Sequence, residues 1–259
     1  MYHDKGWQHF SYDAKIAEWV TAAKPAALES RHKPEVIQEW LDCEGTWFIG
    51  VDALDNDPVG AIDGSDPLCG GVMDFLQSEI GDIPRLHKAQ VSIIYPGYPR
   101  PRSVENEVGF RYRLNRDAAH VDGILPVGEK RQRMIKEPHA FVLGLPLNDC
   151  NEHASPMVVW EGSHHIMQRA FVTALAPHAP ETWDNVDLTE TYQAARREVF
   201  ETCPRVVVTA KPGEAYVMHR HTLHGVAPWG AGAIAPEEGR MIAYFRPEFD
   251  EGVARWIRD

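Results

Sequence analysis

The sequence predicts a mostly β protein, a sandwich of short strands with helices packed against one sheet at its N-terminal end. Three observations carry that prediction. Apolar residues recur at helical spacing over much of residues 1–88 and at strand spacing from Lys88 onward. Turn-forming residues then interrupt the chain about every ten positions, the cadence of a sandwich or barrel. No internal repeat, low-complexity tract or linker divides the 259 residues, so they read as one domain: a helical extension over 1–88 and a β core over 89–247.

Taken in order, Ile16, Trp19 and Val20 share one helical face behind a capping Ser11-Tyr12-Asp13. A second helix starts at Lys33-Pro34 and runs to Leu41, with the proline in its first turn. Gly45–Val51 reads as a strand, Asp55–Gly71 as a long Asp/Gly/Pro-rich loop and Val72–Ile80 as a third helix. Ala89–Tyr95 has strand character, and residues 96–119 read as an irregular connection carrying Arg100, Arg102, Arg111, Arg113 and Arg116. Strands follow at Ala140–Leu147 and Pro156–Trp160, joined by a polar turn, and a helix over Asp187–Glu201 has Asp187 or Thr189 as its cap. Further strands are expected at Arg205–Ala210, Ala215–His219 and Arg240–Arg246, before a short C-terminal helix.

Composition narrows the class of partner. Apolar residues make up 44% and charged residues 25%, ordinary for a globular protein. A net charge of -12 argues against a general affinity for nucleic acid or anionic membranes, so a small-molecule partner is expected. No apolar run approaches a membrane span, and the N-terminus lacks the apolar core of a signal peptide, so a cytoplasmic location is expected. Cys43, Cys69, Cys150 and Cys203 show no CxxC pairing and read as free thiols.

The chemistry is concentrated in Arg116-Asp117-Ala118-Ala119-His120-Val121-Asp122-Gly123. Alternate side chains of an extended strand share a face, so His120 and Asp122 can address one point while Val121 turns away. About a hundred residues later comes His219-Arg220-His221-Thr222-Leu223-His224-Gly225, and His224 from it completes two histidines and a carboxylate. Such a set occupies one face of an octahedral ion and leaves the opposite positions open, as in non-haem Fe(II) oxygenases. Gly123 lets the backbone bend close to the site. Arg240, at the start of the last strand, offers a bidentate partner for the carboxylate of a co-substrate.

These residues resemble the phytanoyl-CoA dioxygenase-like Fe(II)/2-oxoglutarate-dependent oxygenases. The resemblance rests on His120-Val121-Asp122, Met157–His164, Pro212-Gly213-Glu214, Leu223-His224-Gly225 and Gly239-Arg240, spread over about residues 89–247. Glu161 stands where the family usually has proline, Glu214 where it often has aspartate, and the interval from His224 to Arg240 is long for it. Arg246, on the same strand face by parity, is the alternative arginine. The resemblance implies a double-stranded β-helix (jelly-roll) fold, with Fe(II) held by His120, Asp122 and His224. It further implies 2-oxoglutarate chelating the metal with its C5 carboxylate on Arg240, and O₂ as oxidant. The reaction implied is hydroxylation of a small organic substrate with release of succinate and CO₂; related halogenases lack the carboxylate that Asp122 provides. Nothing marks an acyl-CoA site. Two other readings remain: a cupin-like metalloenzyme that does not use 2-oxoglutarate, and a metal-free jelly-roll binding protein.

Other residues are weighed beside these. His219 and His221 read as structural, and His164 and His165 as part of a turn. The arginines of 100–116 either solvate a loop or face an anionic substrate, which Arg111 or Arg113 would then contact. Trp160, Trp229 and Tyr98 read equally as packing or as pocket wall.

Overall fold

A computed structural model describes residues 2–62, 64–103 and 105–258. The N-terminal part contains α1 (Tyr2–Lys5), β1 (Trp7–Phe10), α2 (Ala14–Ser30), α3 (Pro34–Trp40), β2 (Leu41–Asp42), β3 (Trp47–Phe48) and α4 (Gly71–Ile80). The core begins with β4 (Gln90–Ile94) and α5 (Glu107–Asn115), followed by the hairpin β5 (Ile124–Val127) and β6 (Gln132–Ile135). Then come β7 (Phe141–Pro146), β8 (Met157–Trp160), α6 (Ser163–Leu175) and, after a 3₁₀ turn, α7 (Thr189–Thr202). The chain ends with β9 (Arg205–Val208), β10 (Ala215–His219), β11 (His224–Val226), β12 (Arg240–Phe245) and α8 (Val253–Trp256).

The strands form a seven-stranded antiparallel sheet in the order β1-β10-β7-β12-β4-β3-β2 and a three-stranded sheet in the order β11-β8-β9. Side-chain alternation explains why the two sheets face each other. Val142, Tyr216, Met218, Ile242 and Tyr244 leave one face of the large sheet and meet Met157, Val159 and Val208 of the small one. The residues between them, Phe141, Leu143, Val217, Met241, Ala243 and Phe245, point the other way, where α2 and α4 cover them with Ile16, Trp19, Val20, Val72 and Leu76. The Trp19 and Phe245 rings meet at 5.7 Å. The large sheet is buried on both faces, which is why its strands read as unbroken apolar runs. This is the mostly β, jelly-roll arrangement with N-terminal helices that the sequence predicts.

Asp13 caps α2 by accepting the Lys15 amide at 2.9 Å, and Pro34 opens α3, as expected. Three expectations need correction, and one hairpin goes beyond them. Trp7–Phe10 is a strand on the edge of the large sheet, paired with β10, although its four residues are too few to show a period. Residues 96–119 are not all irregular: α5 forms there, capped by Asn106, whose side chain accepts the Gly109 amide at 2.9 Å. It buries Arg113 and leaves Val108 and Leu114 exposed, so the apolar pattern hides it. Residues 124–135 form a hairpin. His164 and His165 lie in the first turn of α6 rather than in a loop; its buried stripe of Met167, Phe171 and Leu175 at four-residue spacing is a readable helix signal. Among the described residues, no helix is long and apolar enough to cross a membrane.

Candidate metal centre

The backbone brings the two halves of the site together before any side chain does. His120 and His224 form an antiparallel bridge, with amide-to-carbonyl distances of 2.8 and 3.0 Å in the two directions. Next to it the Val226 amide donates to the Asp117 carbonyl at 2.7 Å. This approach requires Gly225, because a Cβ there would lie 2.1 Å from the Asp117 carbonyl oxygen. Gly123 is needed for a related reason: its φ is +80°, and a Cβ would fall 1.9 Å from the Glu137 carbonyl oxygen.

The turn leading into His120 is strained and clamped. Asp117 and Ala118 both lie in the left-handed region, at φ 53° and 54°. The buried Asp117 carboxylate accepts two bonds from Arg205 of β9, at 2.7 and 2.9 Å, a bidentate pair that holds the turn. Two tyrosines fasten the segment from Ala119 to Val121. The Tyr112 hydroxyl donates to the Ala119 carbonyl at 2.6 Å, and the Tyr192 hydroxyl accepts the Val121 amide at 2.9 Å. The amide between the two predicted ligands is thereby fixed by α7.

On this frame His120, Asp122 and His224 converge, each with one ligand atom within 4.8 Å of the others. His120 Nε2 is 3.2 Å from Asp122 Oδ1, and His224 Nε2 is 3.6 Å from Asp122 Oδ2. Each histidine places Nδ1 2.9 Å from a backbone carbonyl, that of Ala118 for His120 and that of Thr222 for His224. Those bonds place the proton on Nδ1 and leave the Nε2 lone pair aimed at the common point. Two ring lone pairs and a carboxylate then face one another with no donor between them, an arrangement that suits a cation. Burial opposes ionisation of Asp122, but its surroundings, the charge of Arg246 first among them, outweigh it and hold the carboxyl well below the usual range.

Two cavities meet at this point. One, of about 230 Å³, runs between the sheets past Ser92, Val142, Met157 and Tyr244. The other, of about 340 Å³, shares His120, Asp122 and Arg246 with it and extends toward the hairpin and α7. The open side of the ligand set therefore has accessible space.

The arginines fall into separate roles. Arg246 lines both cavities and lies 3.5 Å from Asp122 Oδ1. Arg240 is elsewhere: its guanidinium is buried behind Tyr244, with Nη2 3.5 Å from that hydroxyl, and Nη1 has no partner among the described residues. The Tyr244 hydroxyl in turn lies 2.8 Å from that of Tyr216. Of the arginines between 100 and 116, Arg111 is paired with Glu107 at 2.5 Å on the surface and Arg100 with Glu44 at 3.5 Å. Arg113 is in a buried pair with Glu105, Arg102 is 2.9 Å from Asp42, and Arg116 lies over the Phe200 ring. Arg111 and Arg113 are thus already matched by carboxylates of their own.

His221 is buried and His219 half-buried, and neither joins the triad; the His221 ring lies 4.2 Å from that of Trp256. His164 bonds the His3 carbonyl at 2.8 Å rather than approaching the site. The Ser163 hydroxyl of the Gly-Ser-His element accepts the Leu223 amide at 2.9 Å and so supports the residue before His224. Trp160 packs in the core, whereas Tyr98 lines the inter-sheet cavity. Tyr112, Tyr192 and the Arg205–Asp117 pair belong to no motif in the sequence, and their supporting roles emerge only from the fold.

No family model matches this chain, and no curated protein matches it in sequence. Solved structures do. SnoK, a non-heme alpha ketoglutarate dependent carbocyclase from nogalamycin biosynthesis, matches 98% of this chain and 87% of its own at 17% identity, with a TM-score of 0.50. EctD from S. alaskensis, solved with 2-oxoglutarate and 5-hydroxyectoine, matches 94% of this chain and 72% of its own at 16% identity, with a TM-score of 0.48. AviO1 from Streptomyces viridochromogenes Tue57 matches 95% and 91% at 13% identity, also with a TM-score of 0.48. The likeness to SnoK shows a shared fold.

Proposed function

We propose that this protein is an Fe(II)- and 2-oxoglutarate-dependent dioxygenase that hydroxylates a small organic substrate, of the phytanoyl-CoA dioxygenase-like kind. The observation that carries this reading is the open ligand set: two Nε2 lone pairs and one carboxylate within 4.8 Å, beside two adjoining cavities. The orphaned Arg240 supports it, because a buried guanidinium with an unpartnered Nη1 suits an anionic group arriving from outside. The fold is compatible, being shared with a non-heme alpha ketoglutarate dependent carbocyclase.

His120, Asp122 and His224 would hold Fe(II). Bound there with 2-oxoglutarate and O₂, the metal supplies an oxidant able to break a C–H bond, with release of succinate and CO₂. The protein's own part is orientation. The Nδ1 bonds to Ala118 and Thr222 fix both imidazoles, and Arg246 keeps Asp122 ionised and aimed inward. Arg246 sits at the metal end of the inter-sheet cavity, so the far carboxylate of a dicarboxylate is received at the other end, by the Tyr244 hydroxyl with Arg240 behind it. The apolar walls at Val142 and Met157 exclude water from the space between. Asp122 fills the position that a halide would need, which favours hydroxylation over halogenation.

Anaerobic titration of the Fe(II)-loaded protein with 2-oxoglutarate tests this. Chelation should produce a weak visible absorption that neither component gives alone, and His120→Ala should abolish it. Arg240 stands behind Tyr244 and does not line the triad's cavity, which keeps one second reading in view. If Fe(II) binds tightly and no band forms at saturating 2-oxoglutarate, the protein is a cupin-like metalloenzyme that does not use this co-substrate.

A further inference from the structure

The cavity on the hairpin side of the triad carries the opposite charge to the protein as a whole. The chain has a net charge of -12, yet Arg102, Arg113, Arg133, Arg196 and Arg246 line this space against Asp122 and Glu137. Three of the five arginines are matched already: Arg102 by Asp42, Arg113 by Glu105 and Arg246 by Asp122. Glu137 is likewise engaged, 3.1 Å from His139.

Arg133 and Arg196 are different. Neither has a carboxylate partner among the described residues. The Arg133 side chain reaches only the Ile124 carbonyl, at 3.4 Å. Arg196 lies over the rings of Tyr112 and Tyr192, at 5.0 and 4.6 Å, donates from Nη1 to the Tyr112 hydroxyl at 2.9 Å, and has a buried Nε with no partner. Burial holds the Arg133 guanidinium below its ordinary value, and the neighbouring charge of Arg196 adds to that effect. Two like charges are thus kept together in a partly desolvated wall, an unfavourable placement that an incoming anion relieves. Stacking on two tyrosines fixes the plane of the Arg196 guanidinium, which limits the side-chain entropy lost when it binds.

We propose that Arg133 and Arg196 form the anion-recognition site for the primary substrate, which therefore carries a carboxylate or phosphate group. The substrate lies in the cavity of about 340 Å³ with its anionic end at the hairpin and α7 and its reacting end at His120 and Asp122. This rests on the oxygenase reading for what happens at the metal end, while the anion site itself does not. The arrangement also separates two anions: from the triad that both cavities share, the co-substrate extends toward Tyr244 and the substrate toward the hairpin and α7. The tyrosines that fasten the His120 segment are those that carry Arg196, so the anion site and the metal ligands are mounted on one support.

Ligand-observed NMR on metal-free protein tests the proposal with matched probes: phenyl phosphate, benzoate and 4-phenylbutyrate, against phenol, benzamide and 4-phenylbutanamide. At least one anion should bind tenfold or more tightly than its neutral partner. Arg133→Gln, which loses only one long backbone contact, should weaken that binding at least tenfold, and Arg133→Gln/Arg196→Gln should remove it. Arg196→Lys should retain most of it. An anion that binds the double variant as well as the wild type, equal binding of anions and neutral partners, or no binding of any probe would overturn the proposal. No iron or 2-oxoglutarate enters this measurement. If anions bind at Arg133 and Arg196 while the visible band never forms, the oxygenase reading falls and the anion site stands; the reverse result rejects the anion site alone.

Discussion

Replacing Arg240 with methionine should stabilise the protein and disable its co-substrate site at the same time. Arg240 is only 5% exposed, its Nη1 has no partner, and its best contact is a 3.5 Å approach to the Tyr244 hydroxyl. A buried donor left unpaired costs about 1–3 kcal/mol, and methionine fills the stem's volume without one. Without 2-oxoglutarate, Arg240→Met should therefore melt a few degrees higher, at roughly 2–4 °C per kcal/mol for a chain of this size. With 2-oxoglutarate the sign reverses. Removing one partner of a buried charge pair costs about 2–5 kcal/mol, so the dissociation constant should rise between about thirtyfold and a few thousandfold. Thermal melting with and without co-substrate, and the visible titration, read the two effects separately. 2-Oxobutyrate, which lacks the second carboxylate, should bind both forms alike. Normal 2-oxoglutarate binding by Arg240→Met, together with its loss in Arg246→Met, would refute this, because the anchor is then the arginine beside Asp122.

Tyr192→Phe removes the acceptor of the Val121 amide, between the two ligands, and should weaken Co(II) or Fe(II) binding about tenfold without changing the circular dichroism; equilibrium dialysis reads this, and unchanged affinity would show that the bond does not hold the segment. Gly225→Ala places a Cβ 2.1 Å from the Asp117 carbonyl, so the His120–His224 bridge must open. The cost should be about 3 kcal/mol, seen as a lower urea midpoint and loss of metal binding, whereas Gly128→Ala, strained by its φ of +67° but with open space around it, should cost less and leave metal binding intact. Stability should fall as pH drops from about 6.5 to 4. Burial depresses His164 to about 4 and holds His219 and His221 well below their ordinary value, with the nearby charges reinforcing it. These rings are neutral in the folded chain and protonate in the unfolded one below about 6.5, so their stabilising contribution is full above that pH and is lost on acidification. For His164 alone the loss by pH 5 is about 2 kcal/mol, and urea unfolding at pH 7.5 and 5 should show it, with a shallower slope in His221→Phe.

Periodicity was enough to read the layers of the fold and to pair His120 with Asp122, whereas choosing His224 among three histidines as the third candidate ligand rested on the family resemblance. Strand alternation put His120 and Asp122 on one face, and the structure adds what the glycine after His224 does, which is to let two backbones close on each other. Less was legible where structure depends on partners distant in sequence. Trp7–Phe10 becomes a strand only because β10 offers it an edge, and α5 is held by its cap and the Arg113–Glu105 pair more than by an apolar stripe. The arginines show the same division. Arg111 and Arg113 drew attention by crowding next to the motif, but Glu107 and Glu105 take them up; Arg133 and Arg196, far apart in the chain, are the ones left facing the cavity. A sequence shows which charges exist, and only the fold shows which of them remain unpaired.

The backbone bridge between His120 and His224 has a consequence for how the protein is supplied with its metal. In a small zinc module the ion organises the chain, so loading and folding are one event. Here two peptide hydrogen bonds, the Arg205 clamp and the two tyrosines hold the candidate ligands through bonds of the chain itself. Occupancy is then decided after synthesis, by the cell's pool of divalent cations and their rates of exchange. A preparation should therefore withstand being stripped and reloaded with a different metal while it keeps its folded circular dichroism.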